Sequence, residues 1–152
     1  MALDPATATA IGKIGGAMAL AVSALGSGLG IGAAGRAAVG AWKKCYAQNK
    51  TAPFLLAVFI GAPITQTFYG MIVMFRLVEV AKSTPDAFPA LLGWGLFGGL
   101  AIGLSAWMQG VIGAAASDAQ AETGQGFTNY LMALGIIESV AIFVMVFILI
   151  VA

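Results

Sequence analysis

The chain has 152 residues, of which 61% are hydrophobic and 9% charged, with a net charge of +1 and no histidine. A soluble domain carries roughly 25% charged residues, so a chain this apolar lacks the polar surface to cover itself in water and is read as a membrane protein. The charge balance excludes nucleic acid as a partner. The missing histidine excludes His-based acid–base catalysis, His metal ligation and a His pH switch, and the single Cys45 cannot form an internal disulfide.

Four apolar stretches follow one another, roughly 12–42, 53–78, 88–117 and 127–151. Each is longer than the ~20 residues a helix needs to cross the hydrocarbon. Unsatisfied backbone is too costly in lipid for any other open structure, so each stretch is expected to be a helix. Polar breaks at 43–52, 79–86 and 118–126 separate them, and Cys45, beside Lys43, Lys44 and Gln48, is read as a thiol of the first polar loop.

The first stretch opens like a signal peptide, with Lys13 ahead of Ile14–Leu25 and a small-residue Ala21-Val-Ser-Ala24. Its apolar run continues to Ala41, too long for an h-region, so it is read as a retained span. It also holds GSGLGIGAAG at 26–35, in which Gly30, Gly32 and Gly35 spell GxGxxG. A dinucleotide-binding loop needs a strand before it and a helix opening at it, and neither is present. Small residues that let helix backbones approach in lipid explain the run better. Because Gly26, Gly28, Gly30 and Gly32 recur every second residue, crowding on opposite sides of this helix is expected.

In the second stretch, Ala62, Thr65, Gln66 and Tyr69 follow i, i+3, i+4, i+7 and share one helix face. Pro63 cannot donate to the carbonyl of Phe59, which loosens that turn and leaves backbone oxygens free as ligands. The third stretch contributes Gln109. The fourth holds Glu138, in a segment Tyr130–Val151 where every other side chain but Ser139 is apolar. A charged group at the bilayer centre costs about 2.5–3.5 kcal/mol on insertion scales and marks ion or proton paths.

Antiparallel helices joined by a short loop place residues equidistant from the loop centre at equal depth. Gln109 and Glu138 are centred near residue 123, so they share a level. The corresponding centre near residue 48 sets Ile31 level with Thr65. A second relation reaches the same depth. Gly61–Thr65 overlays Gly135–Ser139 with a shift of 74, and Ser27–Gly35 overlays Ser105–Gly113 with a shift of 78. The chain is therefore expected to be two copies of one antiparallel hairpin, 1–85 without an ion carboxylate and 86–152 with Glu138; Ile64 stands where the second copy has Glu138. One membrane depth thus collects a carboxylate, two amides, a hydroxyl and a phenol. A proton needs only the carboxylate, whereas a bare alkali cation needs several oxygens, so the set favours Na⁺ over H⁺.

With these residues identified, the chain resembles the proteolipid c subunits (K subunits) of bacterial V-type rotary Na⁺-ATPases over essentially its whole length. Pro63-Ile-Thr-Gln-Thr-Phe-Tyr69, Gln109-Gly110 and Glu138-Ser139 carry the likeness. The resemblance implies a Na⁺ site made by Glu138, Gln109, Gln66, Thr65 and the carbonyl of Ala62, with Tyr69 hydrogen-bonding the carboxylate and Ser139 beside it. It implies an all-α membrane protein of four transmembrane helices, a rotor ring of identical copies with the glycine-rich helices inside, and ion release by an Arg of a stator subunit. Coupling would run through central-stalk subunits to a separate ATPase head, so this chain would itself be non-catalytic. Two positions depart from the pattern: Ile64, where a small residue is usual, and Ser139, where Thr is frequent.

Rival readings are the same rotor carrying H⁺, and a small four-helix drug exporter. The exporter family carries its glutamate in the first helix, which here has none. The basic residues Arg36, Lys43, Lys44 and Lys50 put the first loop in the cytoplasm by the positive-inside rule. Both termini of this multi-pass cell-membrane chain are then expected on the other side.

Overall fold

A computed structural model describes residues 3–152, and every regular element among them is helical. They are α1 (Pro5–Ala47), α2 (Leu56–Gly61), a 3₁₀ turn (Ala62–Ile64), α3 (Thr65–Ser83), a second 3₁₀ turn (Pro85–Ala87), α4 (Phe88–Thr123) and α5 (Phe127–Val151). α2, the first turn and α3 together make the second span, so the four predicted apolar stretches become 4 helices long and apolar enough to cross a membrane.

Local chemistry sets the helix ends. Asp4 accepts hydrogen bonds from the amides of Ala6 and Thr7 at 3.1 and 3.0 Å, and Pro5 occupies the first helical turn, a standard start for α1. Gly124 and Gly126, at φ of 67° and 88°, make the turn between α4 and α5. The polar breaks overestimate the loops. α1 runs through Lys43 and Lys44 to Ala47, α3 through Glu79 to Ser83, and α4 through Asp118 to Thr123. Lys, Glu and Gln are good helix formers, so a span can leave the hydrocarbon without ceasing to be a helix. Cys45 accordingly sits in the last turn of α1, 4% exposed, rather than in a polar loop.

α1 and α4 lie side by side and run the same way, because their close approaches ascend together: Gly15 with Gly95, Gly26 with Gly103, Gly30 with Gly110. A Cβ at Gly95 would overlap the carbonyl of Gly15, one at Gly26 the carbonyl of Gly103, and one at Gly110 the carbonyl of Gly30. These glycines bring main chain against main chain, the contact that small residues permit in lipid. Within the single chain, the alternation from Gly26 to Gly32 is packed on one side. Gly28 has nothing within 4 Å and Gly32 only the Arg36 guanidinium at 3.9 Å, so one side packs and the other is open in the single chain.

α3 covers the flank of α1, and α5 the flank of α4. A Cβ on Gly16 would meet Val78 at 2.9 Å, and one on Gly98 would overlap Ile148. Two apolar cores result. One joins Ala19, Val73, Leu77, Leu91, Ile102, Ala141 and Ile148; the other, nearer the α1 and α4 C-termini, joins Ala38, Leu56, Phe59, Ala116 and Leu134. Phe59 anchors the latter, with ring centroids 5.5 Å from Phe127 and 6.1 Å from Tyr130. At the same end Lys44 pairs with Glu122 at 3.1 Å, and the Trp42 indole donates to the Pro53 carbonyl at 2.8 Å.

The glycine seam yields a direct comparison. Gly30→Val places a branched side chain against the backbone of Ala106 and is expected to destabilise the fold by at least the ~1–3 kcal/mol typical of overpacking. Gly28→Ala, on the open side, should leave the melting temperature in detergent, followed by circular dichroism, within error of the parent.

Candidate ion-binding site

Between the two apolar cores lies a single run of polar side chains. Its centre is Glu138, half-buried midway along α5, where the helix supplies no other charged side chain. An ion in hydrocarbon must be satisfied by the protein itself, and the neighbouring helices provide for it. The Tyr69 hydroxyl of α3 donates to Glu138 Oε1 at 2.6 Å, and Gln109 Nε2 of α4 donates to Oε2 at 3.2 Å. Both carboxylate oxygens therefore accept, which is the arrangement that stabilises negative charge.

The run continues without a gap. Gln109 Nε2 also donates to the Leu134 carbonyl at 3.0 Å, while its Oε1 accepts from Gln66 Nε2 at 2.9 Å. Gln66 Oε1 accepts from the Thr65 hydroxyl at 3.1 Å, and that hydroxyl lies equally close, 3.1 Å, to the carbonyl of Ala62. Gln66 and Gln109 are fully buried and the outer members are half-buried. Pro63 explains the Ala62 end. Lacking an N–H, it tightens Ala62–Ile64 into a 3₁₀ turn, in which the Ala62 carbonyl accepts from the Thr65 amide as well as from its hydroxyl.

Of the residues singled out from the sequence, Ala62, Thr65, Gln66, Tyr69, Gln109 and Glu138 are joined in one hydrogen-bonded network. Ser139 is not brought into it. Its hydroxyl donates to the Ile136 carbonyl at 2.7 Å, the bond a serine makes to its own helix when no water is at hand. Two members of the surroundings escape the sequence reading. Ser105 donates to the Ile137 carbonyl at 2.8 Å, pinning α4 to α5 one turn from Gln109, and Leu134 supplies its carbonyl to Gln109. Ser105 precedes Gln109 by four residues, a spacing that puts it on the same helix face.

No group of three or more His, Cys, Asp and Glu side chains gathers among the described residues. With one carboxylate and otherwise neutral oxygens, the site carries a single negative charge and suits a singly charged cation better than a divalent one. An apolar groove of about 410 Å³ is lined by Trp94, Phe97, Phe143 and Phe147, and none of the network side chains lines it.

Tyr69 is the simplest member to test, because Tyr69→Phe keeps the ring and removes only the donor. A hydrogen bond to a charged group contributes about 1.5–3 kcal/mol. Labelling of Glu138 by a hydrophobic carbodiimide, read by mass spectrometry, should therefore become faster by about tenfold. An unchanged rate would mean that the phenol does not guard the carboxylate.

Comparison with known proteins agrees with this geometry. Residues 92–151, the stretch that holds Gln109 and Glu138, match the family model for the C subunit of ATP synthase. Over 133 residues, 88% of this chain, the sequence is 32% identical to the A-type ATP synthase subunit K of Methanocaldococcus jannaschii. The chain spans 57% of that relative's length. Four apolar helices, a carboxylate midway along α5 held by α3 and α4, and these two matches lead to one conclusion: residues 92–151 belong to the family of ATP synthase C subunits, and the chain as a whole resembles a multi-pass membrane proteolipid of that kind.

Proposed function

We propose that this chain is the ion-carrying rotor subunit of an A/V-type rotary ATPase, with Na⁺ as its cargo. The observation that carries this reading is the unbroken polar network from Ala62 to Tyr69 around Glu138, isolated between two apolar cores. Identical copies would form a ring, ATP chemistry would reside on partner subunits, and an Arg of a stator subunit would release each ion by competing for Glu138. The two expected hairpins, 1–85 and 86–152, would then share one ion site per chain.

Oxygen supply favours Na⁺. The carboxylate, the Thr65 hydroxyl, the Ala62 carbonyl and the two carboxamide oxygens lie along one hydrogen-bonded line. A carboxamide turned about its last torsion exchanges its N–H₂ for its oxygen. Gln66 and Gln109 can thus present donors to the bare carboxylate and oxygens to a cation that neutralises it. A proton needs only the carboxylate, and the other four groups would then serve only as hydrogen bonds between helices. The basic residues near the first loop put that loop in the cytoplasm by the positive-inside rule, and both termini across the membrane.

The test is carbodiimide labelling of Glu138 at constant ionic strength across pH. Na⁺ should slow the reaction and K⁺ should not. Labelling that follows pH alone would make the cargo H⁺. Glu138→Gln should abolish ion transport by the reconstituted complex, and transport that survives this change would overturn the rotor reading itself.

A further inference from the structure

Five of the six serines donate to a main-chain carbonyl: Ser23 to Ala19, Ser83 to Val80, Ser105 to Ile137, Ser117 to Gly113 and Ser139 to Ile136. Ser27 is the exception. It is 2% exposed, its hydroxyl makes no hydrogen bond, and it does not turn to the Ser23 carbonyl four residues back. A buried hydroxyl without a partner is costly, and a serine in a helix commonly relieves that cost on its own backbone. By the 78-residue shift its counterpart is Ser105, which pins α4 to α5. Ser27 makes no equivalent bond between α1 and the second span.

The packing of α1 on that span shows what Ser27 faces. A Cβ on Gly12 would meet Ala81 at 2.9 Å, one on Gly70 would meet Ser23 at 2.6 Å, and one on Gly30 would meet Pro63 at 3.0 Å. The two spans therefore run antiparallel, and levels between these contacts can be counted from either end. Ser27 stands four residues after Ser23 and three before Gly30, while Gln66 stands four before Gly70 and three after Pro63. Both sets of spacings keep to one helix face. Ser27 is thus in register with Gln66, which is 0% exposed and forms the inner link of the polar network. No hydrogen bond joins the two, because the Gln66 carboxamide donates to Gln109 and accepts from Thr65.

A bound cation changes what that carboxamide needs. Turned to give its oxygen to the ion, Gln66 withdraws the N–H it donates to Gln109 and has two N–H groups to place where lipid offers no acceptor. The Thr65 hydroxyl, donating to the Ala62 carbonyl, can accept one of them. The remaining oxygens of the network are those turned to the ion, so the second N–H needs an acceptor from outside it. We infer that Ser27 is that acceptor and holds Gln66 in its ion-facing form. Its own hydrogen is then free for the Ser23 carbonyl, the bond that Ser23 and Ser117 make one turn back. Ser27 is a positioning residue that acts through Gln66 without touching the ion. Its unpaired hydroxyl burdens the ion-free form and its bond steadies the loaded one, so both effects favour loading. The inference rests on the Na⁺ reading and adds a residue of α1 to a network drawn from the other three spans.

The experiment is carbodiimide labelling of Glu138 in membranes containing the full chain, titrated with Na⁺, for the parent, Ser27→Ala, Ser27→Cys and Ser23→Ala. Without Na⁺, Ser27→Ala should be labelled at the parent's rate, since the ion-free network does not use this hydroxyl. The Na⁺ concentration that halves the rate should rise about fivefold, as for the loss of one neutral hydrogen bond. Ser27→Cys keeps the side chain's shape with a weak acceptor and should show the same rise, which separates the lost bond from a cavity. Ser23→Ala, one turn away, removes a hydroxyl that serves only its own helix and should change neither quantity. An unshifted Na⁺ titration in Ser27→Ala, a parent-like Ser27→Cys, or an equal rise in Ser23→Ala would overturn the inference and leave Na⁺ as the cargo. Labelling of the parent that Na⁺ does not slow would remove the cargo reading and this inference with it.

Discussion

Glu138 must be solvated by side chains, because the middle of a membrane offers no water to do it. That requirement reaches across three helices. Tyr69 comes from α3, Gln109 from α4, and the carboxylate from α5. An error of one residue in any of their relative heights would separate the donors from the acceptor by about 1.5 Å, enough to break bonds of 2.6 to 3.2 Å. The heights are fixed elsewhere, chiefly where Gly26 meets Gly103 and Gly30 meets Gly110. Backbone contact tolerates little sliding, since each residue with a Cβ on either side of the seam acts as a stop. The glycines that resemble a nucleotide loop are thus the register marks of the polar network around Glu138.

Much of this is legible in the residues alone. Equal distance from a loop centre sets Gln109 opposite Glu138, and the hydrogen bond between them lies there. The i, i+3, i+4, i+7 set puts Thr65, Gln66 and Tyr69 on one face, and all three join the network. Both arguments work because helix geometry is regular and lipid allows no other backbone. Carbonyl groups are a different matter. Leu134 contributes an oxygen through its main chain, and the identity of its side chain says nothing of that.

Other features are hidden for physical reasons of their own. Charge marks where the hydrocarbon ends, not where a helix ends, so α1, α3 and α4 overrun their apolar stretches and carry Cys45 into a packed turn. Ser139, next to the carboxylate in sequence, turns to its own backbone because adjacent residues on a helix point about 100° apart. Alternate glycines suggest crowding on two sides of α1. Within the single chain Gly26 and Gly30 meet α4, whereas Gly28 and Gly32 have no close packing partner.

The unbroken passage of α1 from the membrane core to Ala47 has a mechanical side. At 43 residues it is about 64 Å long, roughly twice the hydrocarbon thickness. A flexible loop starting at the lipid surface would act as an entropic spring, each residue keeping its dihedral freedom. A helix resists through its hydrogen-bond ladder, and α1 is doubled by α4 along the glycines and tied to it again by Lys44 and Glu122. A sideways push on this end therefore reaches the depth of Glu138 as the swing of one stiff beam instead of being absorbed as bending. Elastic compliance is left to the short links at Thr84 and at Gly124–Gly126, so α3 and α5, which hold the phenol and the carboxylate, can shift against a frame that does not.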